Sequence, residues 1–234
     1  MKTETQNKGL VVVREGRTEL EAPYQNNKLI FIYNSLQKGN FVDVRDNLEN
    51  QDLEMPNFSK TTALVYSAFQ NPDNKYSNEI ISLMKNNWFW TNTGILYTQK
   101  GVYIQDNPII KNRGVVMNES DLIKKLKEND KSIRFVAYGF KIEEQTSLEL
   151  SKNPFVIGLA GEEGTDKLAE IADKHKNKPY LWSFNKVDNP IQKVAALNSS
   201  WDRDGLDVSG DGRGSGYYNY AFGVLKKLNN SKGM

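Results

Sequence analysis

The chain has 234 residues, 38% of them hydrophobic and 26% charged, enough for one sizeable hydrophobic core. Its 31 Lys and Arg nearly balance 29 Asp and Glu, and the charges are interspersed. The basic stripe that phosphate binding demands is missing, and no nucleic-acid partner is expected.

Cysteine is absent and His175 is the one histidine, which excludes thiolate nucleophiles, disulfides and thiolate zinc sites. No apolar run approaches the roughly 18–20 residues that span a bilayer, so no membrane insertion is expected. Residues 1–8 are polar and read as a flexible N-terminus; no apolar signal core follows them. Gly9–Arg14 and Lys28–Tyr33 are rich in β-branched and aromatic residues and predict strands. Polar residues prevail from Asn34 to Lys60. Thr61–Phe69 is apolar enough for a buried strand or a short helix. Ser77–Asn87 predicts a helix capped by Ser77. From Trp88 the pattern is two strands around Lys100-Gly101, with Trp88 and Trp90 read as core aromatics and a ligand platform as the alternative.

Asn118–Glu128 predicts a second helix, and the basic run Lys124–Lys131 reads as its solvated face. Ser132–Phe140 predicts a strand, Thr146–Leu150 a helical turn ended by Asn153-Pro154, and Phe155–Ala160 another strand. A helix opens at Gly164-Thr165, with His175 near its end, where an imidazole meets the C-terminal dipole. Tyr180–Phe184 and Ile191–Leu197 predict strands. Strands and helices mix without regular βα alternation, which indicates an α+β class. Residues 9–234 are read as a single domain.

Asn198–Leu225 departs from the rest. It holds five glycines between Gly205 and Gly216, with four aspartates, two arginines and three tyrosines. Turns laid over a scaffold suit glycine, and Tyr, Ser, Gly and Arg suit binding loops. The chain contains 24 Lys, 15 Glu, 9 Gln and 5 Met, yet none falls in this stretch, where its own composition would place about six. A solvated loop has no physical reason to avoid Lys and Glu. Asp207, Ser209, Asp211 and Gly212 imitate the opening of a calcium loop, but Tyr218 stands where the bidentate glutamate belongs; a calcium site of other geometry, including Asp202 and Asp204, stays open. Gly210–Gly216 imitates a phosphate cradle without the following helix or the P-loop lysine. Paired carboxylates, Asp204 with Asp207 or Asp211, offer a hydrolase alternative.

The strand-like SIRFVAYGFKIEEQT, the NPFVIGLAGEEGTDKLAEIA block and WDRDGLDVSGDGRGSGYYNYAFGV resemble the variable proteins of diversity-generating retroelements, most of all the archaeal and archaeal-virus ones. In that family adenine-directed mutagenesis of asparagine codons yields Asn, Asp, Tyr, Ser, Gly, Arg and others, but not Lys, Glu, Gln, Met or Trp. The resemblance covers about residues 130–225. It implies a C-type lectin fold of the formylglycine-generating-enzyme type, a twisted antiparallel sheet with two main helices, and a variable ligand-binding region at 198–220. The enzyme relatives act through cysteines; this chain has none, so no catalytic residue and no metal is assigned. The contact positions it implies are Asp202, Arg203, Asp204, Asp207, Ser209, Asp211, Arg213, Ser215, Tyr217, Tyr218 and Tyr220, with Asn198, Ser199, Ser200 and Asn219 secondary. Trp201, Leu206, Val208, Phe222 and Val224 are implied as scaffold, Leu206 and Val208 alternating with Asp207 and Ser209 as in a half-exposed strand. The implied partner is a protein or other surface ligand, with display on a virus or a cell left open.

Overall fold

Most helices among the described residues begin at an asparagine. The computed structural model describes residues 11–14, 17–200, 203–215 and 219–226, with side chains from residue 18 onward. Among these residues are six helices: α1 (Phe41–Glu49), α2 (Phe58–Gln70), α3 (Lys75–Asn86), α4 (Glu119–Lys127), α5 (Ser147–Ser151) and α6 (Pro154–Ala172). Asn40, Asn57, Asn74, Asn118 and Asn153 cap all but α5, each side chain accepting from a backbone N–H of the first turn. Thr146 and Glu149 form a capping box on α5. Each such cap contributes about 1 kcal/mol.

Several expectations change here. Asn74, not Ser77, caps α3. Of the two forms open to Thr61–Phe69, strand or short helix, the helix is found, within α2. Phe155–Ala160 is helix rather than strand: Pro154 occupies the first turn, where its missing N–H costs nothing, so Asn153-Pro154 not only follows the end of α5, as expected, but also starts α6. α6 kinks at Gly161, whose φ of 75° lies in the left-handed region. Arg134 Nε donates to the Gly158 carbonyl just before the kink, at 2.8 Å, while its Nη1 and Nη2 hold Asp106 at 2.6 and 3.1 Å.

Twelve strands join in one sheet: β1 (Val11–Arg14), β2 (Arg17–Tyr24), β3 (Asn27–Gly39), β4 (Leu53–Glu54), β5 (Phe89–Tyr97), β6 (Gly101–Asp106), β9 (Ile133–Ala137), β10 (Glu143–Glu144), β11 (Tyr180–Trp182), β12 (Ile191–Ser200), β13 (Gly205–Gly212) and β14 (Asn219–Leu225). The main path runs β1-β2-β3-β14-β5-β12-β13-β11-β10, with β4 on β14 and β6 between β5 and β9. A separate hairpin comprises β7 (Ile109–Lys111) and β8 (Gly114–Val116). The sheet is not purely antiparallel: β11 pairs β13, and β14 meets β5, in parallel. The strands before residue 130 are integral to it, since β3 and β5 flank the C-terminal β14.

The larger core lies between the sheet and α2, α3 and α6, and includes Phe89, Tyr97, Phe155, Leu206, Val208, Phe222 and Val224. A smaller one gathers Phe41, Val44 and Leu48 of α1 against Trp90, Val194, Ala196 and Ala221. Trp90 is buried there, its indole N–H donating to the Gly39 carbonyl at 3.1 Å, and Trp88 packs at the margin. Packing is therefore the role of Trp90.

At Gly210 the backbone of β13 packs directly against side chains of the larger core. A Cβ there would meet Phe155 Cζ at 2.5 Å and the Tyr97 hydroxyl at 2.6 Å. Tyr97 donates to the Gly210 carbonyl at 3.0 Å. Gly210→Ala is expected to destabilise the protein by about 1–3 kcal/mol through overpacking, measured as a lower urea midpoint. An unchanged midpoint would show that Phe155 and Tyr97 yield freely.

Candidate functional site

Residues 198–220 comprise the end of β12, all of β13, their connection and the start of β14. β13 lies between two partners: Asp207, Val208 and Ser209 pair with Tyr180, Leu181 and Trp182 on one side and with Asn198, Leu197 and Ala196 on the other. Directly opposed residues share a face. Leu206 and Val208 point into the larger core and are fully buried, as are Phe222 and Val224 on β14.

The opposite face of β13 is not open, contrary to the half-exposed strand expected. Asp207 is 3% exposed and Ser209 4%. Arg203 covers Asp207, its Nη2 donating to Oδ1 at 2.5 Å while the guanidinium lies 4.5 Å from the Tyr180 ring centroid. Ser209 donates to Asp211 Oδ1 at 2.9 Å. Asn198 and Ser199 are also buried; Asn198 donates to the carbonyls of Met84 and Asn87, closing the C-terminus of α3. Strand pairing on both sides buries Asp207 and Ser209, while Asn198 and Ser199 are covered by β13 on one side and by the end of α3 and His175.

The exposed part of the segment is smaller. Arg213 and Ser215 are exposed; Arg203, Asp204, Asp211, Asn219 and Tyr220 are half-buried. Tyr220 pairs across to Lys38, whose ammonium lies 5.5 Å from its ring centroid. Trp201, Asp202, Tyr217 and Tyr218 lie outside the described residues. Gly212–Ser215 forms one wall of a cleft of about 350 Å³, whose other walls are Asn40–Val42, the β7–β8 hairpin at Arg113–Val115, and Gln192–Val194. The Gly214 carbonyl accepts from the Phe41 amide at 2.9 Å, fixing the segment to the start of α1.

Sequence reasoning missed two contributors to this surface. Trp182 is 39% exposed beside Ser209 and packs on Tyr180 at 4.4 Å between centroids. Arg113 sits at the tip of the β7–β8 hairpin and pairs with Asp43 at 2.5 Å. The hairpin had a local signal, Asn112 and Gly114 between the β-branched pairs Ile109-Ile110 and Val115-Val116, and in the structure Asn112 and Arg113 adopt positive φ, 50° and 60°. Trp182 carried none, since its neighbour across the sheet is 27 residues away.

The carboxylates diverge in function. Asp207 serves Arg203, Asp211 serves Ser209, and Asp204 meets His175 Nδ1 at 3.4 Å and Lys176 Nζ at 3.6 Å. Among the described residues no group of three His, Asp or Glu side chains is placed to hold a metal. The calcium-like spacing Asp207-x-Ser209-x-Asp211 falls on a β-strand rather than a loop. No helix among the described residues is long and apolar enough to cross a membrane.

His175 ties the β12–β13 connection to the end of α6. Its Nε2 lies 3.3 Å from Ser199 Oγ, and its ring meets Phe69 edge-on at 5.6 Å. The Asp204 carbonyl accepts from the Asn177 amide at 3.1 Å, and the Asn177 side chain donates to the Arg203 carbonyl. Burial holds the imidazole below its usual pKa of 6.5 against the upward pull of Asp204, and Lys85 adds to the depression. The hydrogen bond from His175 lowers Asp204 in turn.

No protein-family model matches the chain, and no curated protein matches its sequence. A solved structure described as the accommodation of massive sequence variation in Nanoarchaeota by the C-type lectin fold matches it with a TM-score of 0.51, covering 86% of this chain and 99% of its own, at 13% identity. The fold is the C-type lectin fold. In this chain that fold carries two long helices, α2 and α6, packed on each other, and four shorter ones.

Two measurements check this assignment of buried and exposed positions in the lectin-fold segment. Asp207→Ala should cost about 2 kcal/mol, because it strands the Arg203 guanidinium, while Arg213→Ala and Ser215→Ala should each stay within about 0.5 kcal/mol. Urea denaturation of the three variants decides it; equal effects would put Asp207 at the surface. The depressed His175 pKa means that the fold favours the neutral ring. Its contribution is complete above pH 6.5 and is lost as pH falls through the lower folded-state value. Thermal midpoints should therefore drop between pH 7 and pH 5 more steeply for this chain than for His175→Gln. Parallel curves would remove His175 as the cause.

Proposed function

We propose that the chain is a ligand-binding protein whose exposed C-terminal surface is diversified by adenine-directed mutagenesis, as a variable protein of a diversity-generating retroelement, and that it recognises a protein or another surface ligand. The observation that carries this reading is the restricted alphabet: no Lys, Glu, Gln or Met from Asn198 to Leu225. The exposed or half-exposed positions Arg203, Asp204, Asp211, Arg213, Ser215 and Tyr220 all carry residue types that mutated asparagine codons supply. The similar fold described as accommodating massive sequence variation supports the reading further. The role proposed is binding, with no catalytic residue and no resident metal.

Packing divides the segment. Gly210 has no room for a Cβ, and Leu206, Val208, Phe222 and Val224 fill the core. The contact residues on this reading are Arg213 and Ser215, with Asp204, Asp211 and Tyr220 at half depth. The DNA beside the gene tests this. It should contain a near-copy of the segment's coding sequence next to a reverse transcriptase gene, with adenines concentrated at codons 204, 211, 213, 215 and 220 and sparing 206, 208, 210, 222 and 224. Absence of any such copy from the source genome would remove the diversification reading.

A further inference from the structure

The cleft beside Gly212–Ser215 has a chemistry of its own. Phe41, Val115 and Val194 give it an apolar floor, Arg113 and Arg213 stand on walls from different elements, and no Asp or Glu among the described residues lines it. The Arg113 side chain is 68% exposed and, among the described residues, engages through Nη2 alone, toward Asp43, which lies outside the lining. Arg213 forms no ion pair with any described residue. The Lys193 ammonium is engaged elsewhere, 5.6 Å from the Phe184 ring centroid.

The walls are fixed in advance. Arg45 of α1 donates to the Pro108 carbonyl at 2.7 Å, locking the base of the β7–β8 hairpin to the helix, and Asp43 braces Arg113 at its tip. Gly214 is anchored to the Phe41 amide. Preformed walls reduce the entropy lost on binding, and guanidinium groups pair with carboxylates bidentately. A volume of about 350 Å³ exceeds one carboxylate and suits an acidic side chain with an apolar neighbour.

We infer that this cleft seats an acidic side chain and an adjacent apolar one from a protein partner, with Arg113 and Arg213 taking the carboxylate and Phe41, Val115 and Val194 the apolar group. This rests on the ligand-binding reading and adds to it a fixed element, Arg113, outside the segment 198–220. The partner's contacting surface is therefore acidic, whatever else it presents to Asp204, Asp211 and Tyr220.

The test is a titration of the ¹⁵N-labelled full chain with three capped tetrapeptides of alternating phenylalanine with glutamate, glutamine or lysine. The glutamate peptide should shift the amides of Gly114, Val115, Gly212 and Gly214 and bind at least tenfold tighter than the glutamine one. Arg113→Gln and Arg213→Gln should each weaken it at least threefold. Both side chains are at the surface, so the variants should keep their thermal midpoints. The double charge reversal, Arg113→Glu with Arg213→Glu, should turn the preference to the lysine peptide. Equal binding of the glutamate and glutamine peptides, or no binding by any, overturns the inference. Shifts confined to Asp204–Asp211 also overturn it while leaving the ligand-binding reading intact; that reading fails separately, on the genomic template.

Discussion

The Tyr97 hydroxyl sits at the point where most of the molecule meets. It ends the fully buried β5, donates to the Gly210 carbonyl of β13 and shares a hydrogen bond with Ser183 Oγ at 2.8 Å in the β11–β12 connection. Its ring lies near Phe155 of α6 and edge-on to Phe184. Burial drives the phenol pKa far up, which favours the neutral, hydrogen-bond-donating form. A buried hydroxyl without these partners would be costly. Its satisfaction fixes the depth of β13, and hence which side of the C-terminal segment reaches solvent.

Much of this was legible locally. Periodicity and turn chemistry located α3, α4, β5 and β6, and the restricted alphabet marked the segment that borders the cleft. What escaped depended on burial from several sides. Phe155–Ala160 is apolar all round, a pattern that a buried strand and a buried helix share, and only the Asn153 cap distinguishes them. Asp207 and Ser209 looked exposed because they are polar. Their burial follows from Arg203 and Asp211, whose contacts need the strand already formed, and from β11, a parallel neighbour that no hairpin signal announces. The Asn34–Lys60 stretch hid α1, whose apolar residues face the smaller core while its polar ones face water.

Charge placement around the segment shows a division of labour. Inside, each charge has a short-range partner: Arg203 with Asp207, His175 with Asp204, Arg134 with Asp106. Such pairs contribute little net stability over apolar packing but cost heavily when halved, so they specify geometry more than they strengthen it. At the cleft, Arg113 and Arg213 keep donors facing solvent. The same residue type thus serves rigidity at 203 and, on the proposed reading, recognition at 213, and only the depth of the backbone separates the two.

One consequence lies in the place of β13 within the sheet. Between Asp207 and Ser209 it is hydrogen-bonded on both flanks, and the sheet ends elsewhere. An edge strand exposes unpaired amides and carbonyls that recruit other chains, and natural proteins guard such edges with charge or proline. An interior strand needs no guard. Side chains beside it can become more aromatic or lose their charge without offering a backbone template for aggregation. If the proposed diversification holds, a surface that varies from copy to copy keeps its solubility most safely when it grows from the middle of a sheet.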